Sequence, residues 1–511
     1  MSLLTHVKQL VLGLFPSSPV ISRAPELARL SIYVAPFGEH KQSEVVRKNL
    51  MDSILREFSP QLVDVLPAPK EVSLQADSAQ NSVKSKVIQV GRSFLEEHHA
   101  TLLILGQMVE SDEKTLLELR FVTASQDGSE RQYFRLADKM TLEAGFAPEV
   151  AAAVAAVAGV QAIMAVNSAG DYVVPMLIPL TNRLSLLRSS VNSTVRPSDR
   201  AQLSHSFGLL QYAIGIQSGE TARIEDAVTA YRQALQEGTR ERIPFDWSYV
   251  QNNLGIALGE LGVHESETGR LLESVKAFRE ALKVTSRKRE PAQWASTKVN
   301  LAECLFRLGE RESGIAHLRE AVAEYNEALK ELTIENAPVE WASTIFNLGA
   351  ALSSWAKREN GTPRLLEALS AFRESLRVFS PNFRPLDYAK VQHNTGLVLR
   401  TLGEQENGTV QLEESIAVLR EALTIRTRER VPLDWAMTQV ALGMSLKSLG
   451  LQETGTQRLK EAVVACRAAL EEYRRDRAPG DWATAQINLA DMLRALGLSW
   501  FSLKWRGDVL R

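Results

Sequence analysis

From residue 191 onward the apolar positions fall three and four apart, the spacing of amphipathic helices. Trp247, Val250, Leu254, Ala257, Leu258 and Leu261 form one stripe; Leu272, Val275, Phe278, Ala281 and Leu282 form the next. The pair recurs. Proline stands at 197, 244, 291, 338, 385, 432 and 479, every step being 47 residues. Three places later come Arg200, Trp247, Trp294, Trp341, Tyr388, Trp435 and Trp482. Asn follows in phase at 253, 300, 347, 394 and 488, and Gly at 215, 262, 309, 403, 450 and 497. This is the signature of a repeat array. Each unit is predicted to be two helices. The first opens at the proline, whose missing N–H costs nothing in a first helical turn. An acidic residue two places on, Asp199, Asp246, Glu340, Asp387, Asp434 or Asp481, suits the positive end of the helix dipole, and Gln293 is the exception. The phased glycine is expected to close the first helix as a left-handed cap.

The run Asn253-Leu254-Gly255-Ile256-Ala257-Leu258 with Gly262, and Phe278 ahead of Ala281-Leu282, resemble the core of a tetratricopeptide repeat. Equivalent runs start at Asn300, Asn347 and Asn488. The resemblance covers roughly 191–497 and is to an expanded class, since the ordinary unit is about 34 residues. It implies an all-α superhelical solenoid with a concave groove that holds a protein or peptide partner, and such arrays resemble those of bacterial signalling and defence proteins.

Residues 28–142 differ in kind. Leu30–Phe37 reads as a strand, Ser43–Phe58 as a helix, Leu62–Leu66 as a strand, Val83–Glu97 as a helix and Leu102–Leu105 as a buried strand. Thr115–Val122 and Arg131–Arg135 read as strands paired through a turn at Ser125–Gly128. The order predicts a small α/β sandwich. Val34-Ala35-Pro36-Phe37, Ile104-Leu105-Gly106-Gln107-Met108 and Leu117–Val122 resemble the amino-terminal domain of TolB-type proteins, which implies a non-enzymatic docking module. The expected organisation is a docking segment at 1–27, the α/β domain at 28–142, a helical linker and cap at 143–196, repeats at 197–497 (197–243, 244–290, 291–337, 338–384, 385–431, 432–478 and a partial 479–497), and a tail at 498–511. The fold class is α+β.

Lys plus Arg number 59 and Asp plus Glu 61, a net charge of −2 that argues against a chain-wide affinity for polyanions. Cys304 and Cys466 lie in apolar helical patterns and are expected to be buried free thiols. No apolar run reaches the ~18–20 residues of a membrane span. The short apolar core Gln9–Phe15 reads as a docking segment, which places the chain in the cytoplasm, or in the periplasm if that segment is an export signal. Phosphate-loop, dinucleotide, zinc-protease, nucleophile-elbow and C-x-x-C motifs are missing, so no catalytic residue, cofactor or metal is expected.

Two sets of residues are candidates for binding. Asn253, Asn300, Asn347, Asn394 and Asn488 stand where a first-helix asparagine can face the groove and bond a peptide backbone. Beside them lie Asn252, Val299, Phe346, His393, Val440 and Ile487, with Phe346 and His393 as an apolar anchor and a polar contact. This mixed to apolar lining favours a helix or extended segment. The alternative is an arginine edge for nucleic acid or another polyanion: Arg240 and Arg242, Arg287 and Arg289, Arg428 and Arg430, Arg475 and Arg477. No stacking aromatics are expected along it, which weakens that reading. The aromatic tail after Gly497 is a candidate for self-association.

Overall fold

The computed structural model describes residues 30–37, 42–57, 63–68, 90, 93–98, 100–111, 114–123, 139–143, 150, 153–158, 160, 174–190, 195–240, 244–359 and 361–497. The expected docking segment at 1–27, the tail at 498–511 and the strand at Arg131–Arg135 lie outside them. The described residues fall into two compact units, one within Ala24–Glu312 and one within Ser313–Arg511.

The first unit begins with an α/β layer. Strands β1 (Leu30–Val34), β2 (Val63–Pro67), β3 (Leu102–Ser111), β4 (Lys114–Thr123) and β5 (Lys139–Glu143) form one sheet in the order β2-β1-β3-β4-β5, with helix α1 (Ser43–Glu57) between β1 and β2. β1 runs parallel to both neighbours; β3, β4 and β5 are antiparallel. One face buries Ile32, Val34, Leu102, Ile104, Leu117, Leu119, Met140 and Leu142. The Phe37 ring lies so close over Gly106 that a Cβ there would sit 2.3 Å from it, which ties the two sequence motifs together. On the other face Tyr33, Leu103, Leu105 and Val122 pack under Phe94 and Leu95 from a helical turn at 93–97. The expected partner of the Thr115–Val122 strand is corrected. Its partners are β3, in a long hairpin from Leu102↔Thr123 to Ser111↔Lys114, and β5.

Beyond helix α2 (Val174–Ser190) the unit carries α3 (Pro197–Ser218), α4 (Thr221–Glu237), α5 (Pro244–His264), α6 (Gly269–Leu282) and α7 (Pro291–Arg311). The second unit carries α8 (Ala316–Ala328), α9 (Pro338–Glu359), α10 (Thr362–Ser375), α11 (Pro385–Glu406), α12 (Thr409–Ile425), α13 (Pro432–Gly450), α14 (Gln457–Glu472) and α15 (Pro479–Ala495). All seven phased prolines are the first residues of helices. The architecture is a small α/β layer followed by a long run of stacked helices. First helices of successive repeats touch directly, α3 with α5 and α5 with α7 in one unit, α9 with α11, α11 with α13 and α13 with α15 in the other. Second helices are joined by ion pairs 41 residues apart: Arg232–Glu273 at 2.5 Å, Arg373–Glu414 at 2.6 Å and Arg420–Glu461 at 3.0 Å.

The phased glycines do not cap the helices. Gly215, Gly262, Gly403 and Gly450 lie inside α3, α5, α11 and α13, and only Gly497 takes a positive φ, +72°. Their purpose is close approach. A Cβ on Gly215 would meet Ile224 at 2.7 Å, one on Gly262 Leu271 at 2.9 Å, and one on Gly403 Leu412 at 2.7 Å. A second set, seven residues earlier, receives the largest side chains of the second helices. The Cβ distances would be 2.6 Å for Gly208 on Tyr231, 2.7 Å for Gly255 on Phe278, 2.7 Å for Gly349 on Phe372 and 2.5 Å for Gly396 on Leu419. Tyr231, Phe278 and Phe372 are fully buried. Ser274 and Ser415 then donate hydrogen bonds to the carbonyls of Gly255 and Gly396 at 2.6 and 2.7 Å.

Gly349→Ala therefore forces the Phe372 ring aside rather than favouring the helix. Overpacking of this kind costs about 1–3 kcal/mol, more than the ~1 kcal/mol an alanine gains over glycine in a helix. The expected outcome is a lower urea midpoint, against a rise for Gly480→Ala, where a Cβ meets nothing within 4 Å.

Candidate partner-binding face

The phased asparagines divide into two groups. Asn253 and Asn300 are buried, at 0% and 1% exposure, so their expected place on an open groove is corrected. Asn253 Nδ2 lies 2.9 Å from His205 Nε2. Asn252, itself buried, accepts hydrogen bonds from Asn300 Nδ2 at 3.2 Å and Thr297 Oγ1 at 3.3 Å. This is a polar ladder through α3, α5 and α7, and it pairs amide groups that would be costly to bury alone. Asn347, Asn394 and Asn488 are half-buried, and the Asn394 amide donates to the Lys390 carbonyl at 2.9 Å.

His393 and Phe346 are also inside. His393 is 4% exposed, with Nδ1 3.2 Å from Thr438 Oγ1. Burial, together with the nearby Arg426 charge, pushes its pKa down to about 3. Phe346, 6% exposed, lies 5.4 Å from the Phe372 ring centroid, with the Lys390 ammonium over its face at 4.6 Å. Neither reaches a partner from the open surface, because the neighbouring first helix covers that position.

On the first helices of the second unit, several apolar side chains are left exposed or half-buried. On α13, Leu433 and Met437 are exposed and Val440 and Met444 half-buried, one stripe at i, i+4, i+7 and i+11. Leu397 on α11 is half-buried at one side, and Ile487 on α15 is 70% exposed at the other. Charged residues at one end of the stripe are internally matched: Arg400 with Glu404 at 2.6 Å, and Lys447 with Asp491. Val440 and Ile487 were visible in the sequence as groove positions. Leu433, Met437 and Met444 were not singled out, although their spacing alone places them on that face.

The arginine edge is exposed at Arg240, Arg287, Arg289, Arg428, Arg430, Arg475 and Arg477, while Arg242 lies outside the described residues. The expectation of no aromatics there is overturned. Arg287 lies over Trp294 at 5.9 Å, Arg428 over Trp435 at 5.7 Å and Arg475 over Trp482 at 5.7 Å, each arginine seven residues before its ring. Trp247, Trp294, Trp435 and Trp482 are half-buried; Trp341 and Tyr388 are buried. Carboxylates interleave: Arg428 bonds Glu472 at 2.5 Å and Glu471 at 2.6 Å, and Arg474 bonds Asp476 at 3.1 Å. A strand of phosphates would meet these acids as well, so the edge is a poor polyanion track.

Both cysteines are free and buried, and burial pushes the Cys304 thiol up to about 12 and Cys466 up to about 11. Among the described residues no three His, Cys, Asp or Glu side chains gather as a metal site, and no helix is long and apolar enough to cross a membrane.

The geometry defines a helical-repeat protein with an α/β layer ahead of it. No protein-family description matches the chain, and no curated protein matches it. Among solved structures it is similar to a Rap protein complexed with competence and sporulation factor, at 14% identity over 67% of this chain and 87% of that one, with a TM-score of 0.34. It is also similar to aspartyl phosphate phosphatase F from Bacillus subtilis, at 13% identity over 64% and 83% of the chains, with a TM-score of 0.31.

Among the described residues, two buried histidines set a pH dependence. His205, held at about 4 by burial, and His393, at about 3, are neutral in the folded protein. Unfolding frees them to protonate near the ordinary ~6.5. Their folded pKa values are depressed, so the associated stability is full above about 6.5 and is lost as pH falls toward 4. Thermal melts from pH 7 to 4.5 are expected to show this loss, and His205→Gln is expected to flatten it.

Proposed function

We propose that this chain is a non-enzymatic scaffold whose first helices within 313–497 line an inner wall that holds a protein partner, acting as a regulatory subunit on an effector supplied by another chain. The observation that carries the reading is the apolar stripe Leu433, Met437, Val440 and Met444, flanked by Leu397 and Ile487. A stripe repeating at i, i+4, i+7 and i+11 is complementary to an amphipathic helix laid along the groove. Unbranched methionines adapt to the side chains they meet. The rim charges are already paired, so affinity comes from apolar burial, and salt is expected to weaken it little. Asn347, Asn394 and Asn488, half-buried on the same first helices, are the candidates for polar contacts to such a segment. The polyanion alternative is set aside because acids interleave with the arginines.

The test places a photo-crosslinking residue at Met437 or Met444, and as a control at Val464, a 67% exposed position on the second helix α14. In the native host the first two are expected to capture one shared partner, through an apolar-faced helical segment identified by mass spectrometry, and Val464 is not. Equal capture at all three positions, or capture at Val464 alone, rules this face out. With the partner in hand, Met437→Glu is expected to weaken binding by about tenfold or more, the scale of burying an unpaired charge at an apolar contact.

A further inference from the structure

Among the described residues, an ion pair joins the α/β layer to the array. Arg120 on β4 reaches Glu290, 170 residues further along, with Nη2 to Oε2 at 3.1 Å and side chains only 16% and 10% exposed. Both residues break the pattern around them. On β4, Leu117, Leu119 and Phe121 point into the core, while Arg120 shares its face with Val122. That face is apolar toward β1, under Phe94 and Leu95, and turns polar toward β5 with Glu118 and Arg120.

Glu290 is more telling. It immediately precedes Pro291, and the same position in the other repeats is Arg196, Ile243, Ala337, Arg384, Val431 and Ala478. No other repeat carries an acid there. Repeat 291–337 is also the one whose acid two places after the proline is missing, replaced by Gln293. The first-turn carboxylate has in effect moved three positions, from inside the helix to its N-cap. There it still complements the dipole of α7 and can reach outward to the sheet. β5 also touches α5, so the contact has a second footing one repeat earlier.

We propose that Glu290 is a dedicated docking residue, and that the Arg120–Glu290 pair latches the α/β layer onto the array at the start of the repeat 291–337. The array has given up one regular first-turn acid to make this attachment, and none of the other six repeats carries an acid at the equivalent position. The latch fixes which repeats the α/β layer covers, and any ligand that displaces Arg120 would free it.

The experiment uses the full chain with spin labels at Glu96→Cys and Lys276→Cys, both exposed positions, the native cysteines being buried. The parent is expected to give one narrow distance distribution. Arg120→Glu and Glu290→Arg, each alone, are expected to broaden it, with the docked population falling by about tenfold or more, because each leaves like charges facing across a largely buried contact. The combined charge swap is expected to restore the narrow distribution. Glu290→Gln keeps the side-chain shape at the helix start and is expected to broaden the distribution with helix content unchanged by circular dichroism. A narrow distribution in Arg120→Glu and in Glu290→Gln overturns the proposal, as does a charge swap that remains broad.

Discussion

Everything in the array depends on how closely the two helices of a repeat approach. Gly208, Gly255, Gly349 and Gly396 have no Cβ, and the space this leaves is filled by Tyr231, Phe278, Phe372 and Leu419. Seven residues on, Gly215, Gly262 and Gly403 do the same for Ile224, Leu271 and Leu412. Two close contacts, two helical turns apart, fix both the separation and the angle of the pair. Once the angle is set, the first helices meet on one side and the second helices are held apart on the other. The direct contacts between first helices and the buried asparagine ladder both follow from that geometry.

Against so regular a background, departures come in compensating sets. At Tyr388 a hydroxyl replaces the usual indole and needs a partner. It finds Glu421, which Gln392 also bonds at 2.6 Å. In other repeats the equivalent glutamate is engaged three residues on, as in Glu280–Lys283 and Glu374–Arg377. In this repeat that position is Thr424, and Glu421 turns instead to Tyr388 and Gln392. The exchange of Gln293 for Glu290 is the same kind of event directed outward.

The sequence made the helix starts legible, because proline, acid and aromatic act locally and each has one reason to recur. The glycines were misread as caps. A glycine in the last turns of a helix and one just past its end look alike along the chain, and only the partner helix shows which is meant. Asn253 and Asn300 were misplaced for a related reason: period alone gives the face of a helix but not which neighbour covers it. Leu102–Leu105 was recognised as a strand because both its faces are buried; the polar continuation to Ser111, which makes the hairpin with β4, carries no such mark. The stripe on α13 was half visible, through Val440.

The helix pairs and the links between second helices are held by forces that respond differently to their surroundings. Steric contact inside is indifferent to ions. The Arg–Glu rungs outside are about half exposed, each contributes only ~0.2–1 kcal/mol, and dissolved salt screens them. One rung is missing: at the arginine phase Asn326 bonds the Val322 carbonyl of its own helix, and Glu367 turns to Arg364 within α10. In the second unit, ionic strength therefore acts between α10 and α14, where Arg373–Glu414 and Arg420–Glu461 join the second helices, and not between α8 and α10, where Asn326 stands at the arginine phase.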